Sequence, residues 1–188
     1  MAYYTRSELA DLGFASFGDD VRVSDRASLY NCAGIRLGNH VRIDDFCVLS
    51  AGEGGIVIGD YVHIAVGSLL IGKARIVMDD FAGLSARVCV YSSSDDYSGR
   101  TLTNPTVPAA YAGVRHGDVR LGKHVIVGTG SVILPGVEIG DGSAVGALSL
   151  VTTSCAGFGI FAGSPARLLK ERDRGLLELE AKLRASGA

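Results

Sequence analysis

The chain has 188 residues and a mass of 19.5 kDa, enough for one domain with a sizeable core and too little for two. Twenty-six glycines beside 47% apolar residues exclude a disordered chain and call for many short apolar segments that turn sharply. A net charge of −2 with no basic run lacks the electrostatic footprint of a nucleic-acid binder. The amino end shows neither a secretory signal pattern nor a run of about 20 apolar residues, so a cytoplasmic protein with no integral membrane segment is the expectation. Cys32, Cys47, Cys89 and Cys155 lie far apart without a CxxC pair, which fits reduced thiols better than disulfides or a zinc site.

In chain order, the first predicted element is a cap over residues 1–16. Ser7, followed by Glu8-Leu9-Ala10-Asp11-Leu12 and Gly13, reads as a short capped helix. From Phe17 onward aliphatic anchors recur at a spacing of six, in triplets: Phe17, Val23, Leu29; Leu37, Ile43, Leu49; Ile58, Ile64, Leu70; Met78, Leu84, Val90; Leu121, Val127, Ile133; Ile139, Val145, Val151; and then Phe161. All insertions fall between triplets, as a three-sided coil requires, because residues can loop out at one corner without moving the other two faces. Two positions before each next anchor the residue is small, Glu53 alone excepted; in a strand both point to the same side. Neither a 3.6-residue helical period nor hairpin alternation explains a strict six. The reading is an all-β parallel β-helix of about six coils over residues 17–164, one long loop at 95–118, and a C-terminal segment 165–188. That last segment reads as an amphipathic helix broken near Gly175, its leucines covering the coil.

The loop is the natural place for chemistry, since a long irregular excursion from a compact solenoid is usually functional. It holds Asp95, Asp96, Tyr97, Arg100, Asn104, Tyr111 and His116. Its two ends rejoin at one corner, so Asp95 near its start and His116 near its end form a sensible pair in which a carboxylate orients a base. His63 is the other candidate base: it points outward at a different corner, where it cannot meet the loop within one chain. Tyr97, Arg100 and Asn104 are the candidate substrate-binding residues, by stacking and hydrogen bonds, against plain loop packing. His40 and His124 read as surface residues, and Ser92, Ser93 and Ser94 as turn residues.

The stretch Leu121-Gly-Lys-His-Val-Ile-Val-Gly-Thr-Gly-Ser-Val-Ile-Leu-Pro-Gly-Val-Glu-Ile-Gly-Asp-Gly-Ser-Ala-Val-Gly-Ala-Leu-Ser-Leu-Val-Thr152, with Phe161-Ala-Gly-Ser-Pro-Ala-Arg167, resembles the hexapeptide-repeat acyltransferases, among them galactoside, maltose and surface-polysaccharide sugar acetyltransferases. The resemblance implies a left-handed coil, a homotrimer with active sites between subunits, and acetyl-CoA as acyl donor with no metal. It places Thr129, the amide of Ala147 and Thr152 along the pantetheine arm, and Arg167 and Lys170 at the cofactor phosphates. It implies an acceptor that is a sugar, free or carried on a nucleotide or lipid, acylated at a hydroxyl or amine in surface-polysaccharide (O-antigen or capsule) synthesis. The family's loop-entry histidine falls by register on Asp95. A carboxylate is a weak base for a hydroxyl, so it needs help from His63 of a neighbouring subunit or from His116, or suffices if the acceptor amine arrives deprotonated. Two other readings remain open: a carbonic anhydrase-like metalloenzyme, for which His63, His116 and His124 supply three imidazoles, and a non-enzymatic trimeric scaffold.

Overall fold

The computed structural model describes residues 2–186; residue 1 of the expected cap and residues 187–188 of the expected C-terminal segment lie outside them. The chain winds into a triangular prism whose three faces are parallel sheets. Face 1 stacks Ser16–Phe17, Ile35–Leu37, Ile56–Ile58, Ile76–Met78, Val119–Leu121 and Glu138–Ile139. Face 2 stacks Arg22–Val23, Arg42–Ile43, His63–Ile64, Gly83–Leu84, Ile126–Val127, Ala144–Val145 and Gly159–Ala162. Face 3 stacks Ser28–Tyr30, Val48–Ala51, Leu69–Gly72, Cys89–Tyr91, Val132–Ile133 and Leu150–Val151. The expected six coils are present, and Gly159–Ala162 begins a seventh.

The anchors behave as the six-residue spacing demands. Ile43, Ile64, Leu70, Met78, Val90, Leu121 and Ile133 are fully buried along the axis, each worth about 1.5–3 kcal/mol of transfer free energy. Val90 on face 3 and Leu121 on face 1 flank the loop corner and belong to one core. The small positions close the corners: buried Ser68, Ser131 and Ser149 turn their hydroxyls onto main-chain carbonyls of Ser85 and Gly146. Between faces 1 and 2, Asn39, Asp60, Asp80 and Asp141 accept the amides of Asp19, Asn39, Asp60 and Lys123, one rung apart. The Gly before each such amide leaves space for that carboxylate or carboxamide; a Cβ on Gly59 would lie 2.6 Å from Asp80 Oδ1.

The same corner carries non-glycine residues in the left-handed region at His40, Tyr61, Phe81 and His124, an uncommon conformation for bulky side chains. Their rings form a continuous stack, with centroids 4.5, 4.8 and 4.9 Å apart, which offsets the local backbone cost.

The ends differ from the expectation in detail. Helix α1, Arg6–Asp11, is capped two residues earlier than Ser7: Thr5 is the N-cap, paired with Glu8 in a reciprocal capping box. The C-terminal segment is not helical from its beginning. Arg167–Glu171 folds back as a strand antiparallel to Gly159–Ala162, because the last face-2 strand needs a hydrogen-bonding partner more than the segment needs a helix. Helix α2, Leu176–Ala185, then begins after Gly175.

The leucines cover the coil only in part: Leu176 and Leu183 are half-buried, whereas Leu168, Leu169, Leu177 and Leu179 are exposed. Helix α2 docks instead through buried Glu180, which meets Lys123 Nζ at 2.5 Å, His124 Nε2 at 2.6 Å and Arg184 Nε at 2.6 Å. His124 is therefore no free surface residue; only 11% of its side chain is exposed. Cys47 and Cys155 are buried, Cys32 and Cys89 half-buried, and all four are free thiols. Burial pushes the Cys47 and Cys155 thiols up, away from the reactive thiolate.

Candidate active site

The loop leaves face 3 after Tyr91. Ser93–Ser94 pairs antiparallel with Arg115–His116 and closes the excursion into a two-stranded stalk. Gly117 N donates to Ser92 O, and Asp118 Oδ1 accepts Arg75 N, which ties the return to the coil. The loop ends thus share one corner, and the stalk is held from both sides. At its base lies a cleft of about 450 Å³ lined by Asp95, Tyr97, Arg100, Arg115, Pro135 and Thr152 among others. On the other side of Asp95 and Tyr97 a second cleft of about 600 Å³ runs over Ile71, Tyr91, Val132 and Leu134 of face 3.

The two adjacent carboxylates have different work. Asp96 accepts Ser98 N and Oγ and Thr101 Oγ1, and the Ser98 hydroxyl and amide hold its carboxyl below the ordinary range. It shapes the loop. The Asp95 carboxylate has no partner among the described residues and faces both clefts. An unpaired carboxylate beside the guanidinium groups of Arg100 and Arg115 can receive a cationic or hydroxyl-bearing ligand.

The expected Asp95–His116 pair does not form. His116 sits opposite Ser93 in the stalk, and its Nδ1 lies 2.8 Å from Ser93 Oγ. Ser93 Oγ also accepts Lys73 N at 2.8 Å. Antiparallel pairing across the stalk fixes His116 against Ser93, two residues short of Asp95. Asn104 is likewise spent within its own loop, where its Oδ1 accepts Thr106 N and Oγ1. Of the three substrate candidates, Tyr97 and Arg100 line the cleft with Asp95.

His63 lies on face 2, away from the loop, as the register predicts. Its Nε2 is 2.9 Å from Asp44 Oδ2, and Arg42 Nε donates to Asp44 Oδ1 at 2.7 Å. Arg42 and His63 are register neighbours on successive rungs, and Asp44 is buried between them and the core, with 8% of its side chain exposed. A carboxylate only accepts hydrogen bonds, so Nε2 carries a proton toward Asp44, which leaves Nδ1 as the ring nitrogen not engaged by that carboxylate. The six-residue pattern does not single out Asp44; an acid directly after the anchor Ile43 is the signal in the sequence, and the residue is buried. His63 borders a groove of about 460 Å³ across face 2 that also includes Gly83, Ser85, Ala86 and Ile126.

The cofactor candidates occupy two places. Thr129 and Ala147 share the corner between faces 2 and 3, where Thr129 Oγ1 donates to Ala86 O at 2.6 Å and Thr129 O accepts Leu148 N. Ala147 is exposed, its amide nitrogen lies over Gly128, where a Cβ would come within 2.4 Å of it, and that amide donates to no main-chain carbonyl among the described residues. Thr152 lies at the far edge of face 3, in the Asp95 cleft. Arg167 and Lys170 are exposed on the final strand. His63, His116 and His124 take three different partners, Asp44, Ser93 and Glu180, and no cluster of three metal-ligating side chains forms among the described residues. No helix among them is long and apolar enough to cross a membrane.

The fold and site define a β-helical solenoid with a carboxylate-bearing loop over its last coils, and comparison with known proteins bears directly on what such a solenoid does. Residues 118–153 match the model of the bacterial transferase hexapeptide family (six repeats). The chain is 50% identical over 186 residues to an Escherichia coli dTDP-4-amino-4,6-dideoxy-D-glucose acyltransferase, covering 99% of this chain and 97% of that one. It superposes with a TM-score of 0.95 and 45% identity on AntD, an N-acyltransferase from Bacillus cereus crystallised with dTDP and 3-hydroxybutyryl-CoA, over 99% of this chain and 98% of that one. A maltose O-acetyltransferase from Clostridium difficile shares the fold at a TM-score of 0.61 and 19% identity, over 90% of this chain and 75% of that one. The chain belongs to the hexapeptide-repeat acyltransferases and is a sugar acyltransferase that uses a coenzyme A thioester as donor.

Proposed function

We propose that the enzyme N-acylates a nucleotide-linked 4-amino-4,6-dideoxy sugar within a homotrimer, as a step toward a surface polysaccharide. The observation that carries this reading is the free Asp95 carboxylate in a cleft with Arg100, Arg115 and Thr152. It suits an acceptor that brings an ammonium group and a diphosphate together. The dTDP-aminosugar activity of the Escherichia coli relative supports the same acceptor class.

In this reading Asp95 receives the substrate ammonium, and the amine gives up a proton before attack. His63 Nδ1 of the adjacent subunit takes it, held in the right tautomer by Asp44. The amine nitrogen then bonds to the thioester carbonyl carbon, an amide such as that of Ala147 stabilises the oxyanion, and as the C–S bond breaks the proton that the nitrogen must still lose passes to the departing sulfur, releasing coenzyme A as the thiol. Arg167 and Lys170 hold the cofactor phosphates. The trimer is supported by the outer surface of face 3, where Tyr30, Val48, Leu69, Val132 and Leu150 form an apolar sheet with Phe46 and Leu148 exposed at its edge. Such a surface is wide for a lone subunit.

The test follows coenzyme A release with dTDP-4-amino-4,6-dideoxyglucose as acceptor. His63→Ala and Asp95→Ala each lose at least about 10²-fold in kcat. Co-refolded at equal ratio, the two inactive variants regain about a quarter of wild-type activity, because random assembly of a cyclic trimer puts an intact His63 beside an intact Asp95 at that frequency. No recovery refutes the shared site, and no turnover with any nucleotide-linked amino sugar refutes the acceptor.

A further inference from the structure

The outward column of face 2 runs in register through Arg22, Arg42, His63, Gly83, Ile126 and Ala144. Gly83 is the one position among these without a side chain, and the backbone does not demand it. Its φ is not in the left-handed region, and a Cβ built there would meet only His63 O, at 3.9 Å. The corner glycines are different: at Gly38 and Gly122 a Cβ would fall 2.4 and 2.2 Å from the oxygens of Asp60 and Asp141. A strand glycine that nothing requires costs conformational entropy and packs nothing. What it does here is leave the outer face open.

The missing side chain opens the groove of about 460 Å³, with His63 on one bank and Ile126 on the other. Tyr61 and Phe81 close one end, and Ser85 and Ala86 form the other. At the Ala86 end stands Thr129, bonded to Ala86 O at 2.6 Å. Under the proposed function, on which this inference rests, Thr129 and Ala147 flank the pantetheine arm, so the thioester arrives at this end with its acyl chain directed along a mostly apolar floor. We propose that the groove is the acyl pocket and that Gly83 sets the length of the acyl group the enzyme transfers.

The experiment compares wild type, Gly83→Ala and Gly83→Val with acetyl-CoA and butyryl-CoA, and measures coenzyme A affinity separately by calorimetry. Wild type uses both donors. Gly83→Val keeps kcat/KM for acetyl-CoA within about threefold and loses more than about tenfold for butyryl-CoA, the size of a methylene-scale clash in an apolar pocket. Gly83→Ala falls between them and carries the test should the valine variant not fold. Coenzyme A affinity stays at the wild-type value. An unchanged butyryl-to-acetyl ratio in the variants, or a wild type that rejects butyryl-CoA, overturns the inference while leaving the acyltransferase reading intact. Failure of the wild type to bind coenzyme A overturns the underlying reading and this one with it.

Discussion

Removing the charge of Glu180 is expected to unlatch helix α2 from the prism. The residue is nearly enclosed, with 8% of its side chain exposed. Burial alone raises its pKa, but hydrogen bonds from Lys123, Arg184 and His124 outweigh it and hold the carboxyl at about 2, against an ordinary 4.5. At 1.36 kcal/mol per unit that difference is worth about 3 kcal/mol at neutral pH. Because the folded pKa is lowered, the contribution is full above about 4.5 and is lost as pH falls toward 2. Glu180→Gln imitates the protonated acid, so its stability gap to wild type is about 3 kcal/mol at pH 7 and pH 5, about half that at pH 3, and nearly closed at pH 2. For a chain of this size the neutral-pH gap corresponds to a Tm fall of roughly 6–12 °C. Unfolding monitored by circular dichroism across these pH values reads the convergence. A gap that stays constant from pH 7 to pH 2.5, or a Tm shift under about 2 °C at pH 7, refutes the argument that the latch is electrostatic.

Three further outcomes are expected. Asp44→Asn frees His63 to adopt the wrong tautomer and lowers kcat about 10²-fold, with an altered pH–rate profile and unchanged coenzyme A binding; a normal profile would remove Asp44 from the mechanism. Gly59→Ala forces a Cβ to 2.6 Å from Asp80 Oδ1 and 2.8 Å from Asp80 N and destabilises by about 1–3 kcal/mol, whereas Gly83→Ala leaves Tm unchanged; equal effects would contradict the distinction between corner and face glycines. Arg167→Ala or Lys170→Ala weakens coenzyme A binding about tenfold, and the binding of desulfo analogues without a 3′-phosphate changes less; equal loss for both ligands would place these cations elsewhere than at that phosphate.

The prism was legible because its constraint is local and repeated. A six-residue step fixes which side chain points to the axis, and Ile64, Leu70 and Leu121 obey it independently of one another. The small corner positions followed from the same geometry, down to Ser68 and Ser131. What the period cannot encode is anything that arrives from outside the coil. His124 occupies a corner place that faces solvent in a bare solenoid, and only a helix 56 residues later roofs it. The leucines of the last segment looked like its adhesive, yet the contact is made by Glu180, because the corner it meets presents Lys123 and a ring stack rather than an apolar stripe.

The candidate site divides along the same line. Position in the hexad was enough to put His63 on face 2 and Asp95 at the loop entrance, on separate corners. Partner choice was not: a loop returning as an antiparallel stalk decides that His116 meets Ser93 rather than Asp95, and the placing of Asp44 just after the in-register Arg42–His63 and Ile43–Ile64 pairs decides that it reaches His63. Both base candidates therefore already have oriented partners, whereas Asp95 has none. The single chain thus holds His63 on face 2 and Asp95 at the loop entrance on a separate corner, while the proposed mechanism needs both in one site. That separation is the reason the proposed function draws His63 from an adjacent copy, and it is why mixing His63→Ala with Asp95→Ala chains discriminates between a shared site and one confined to a single chain.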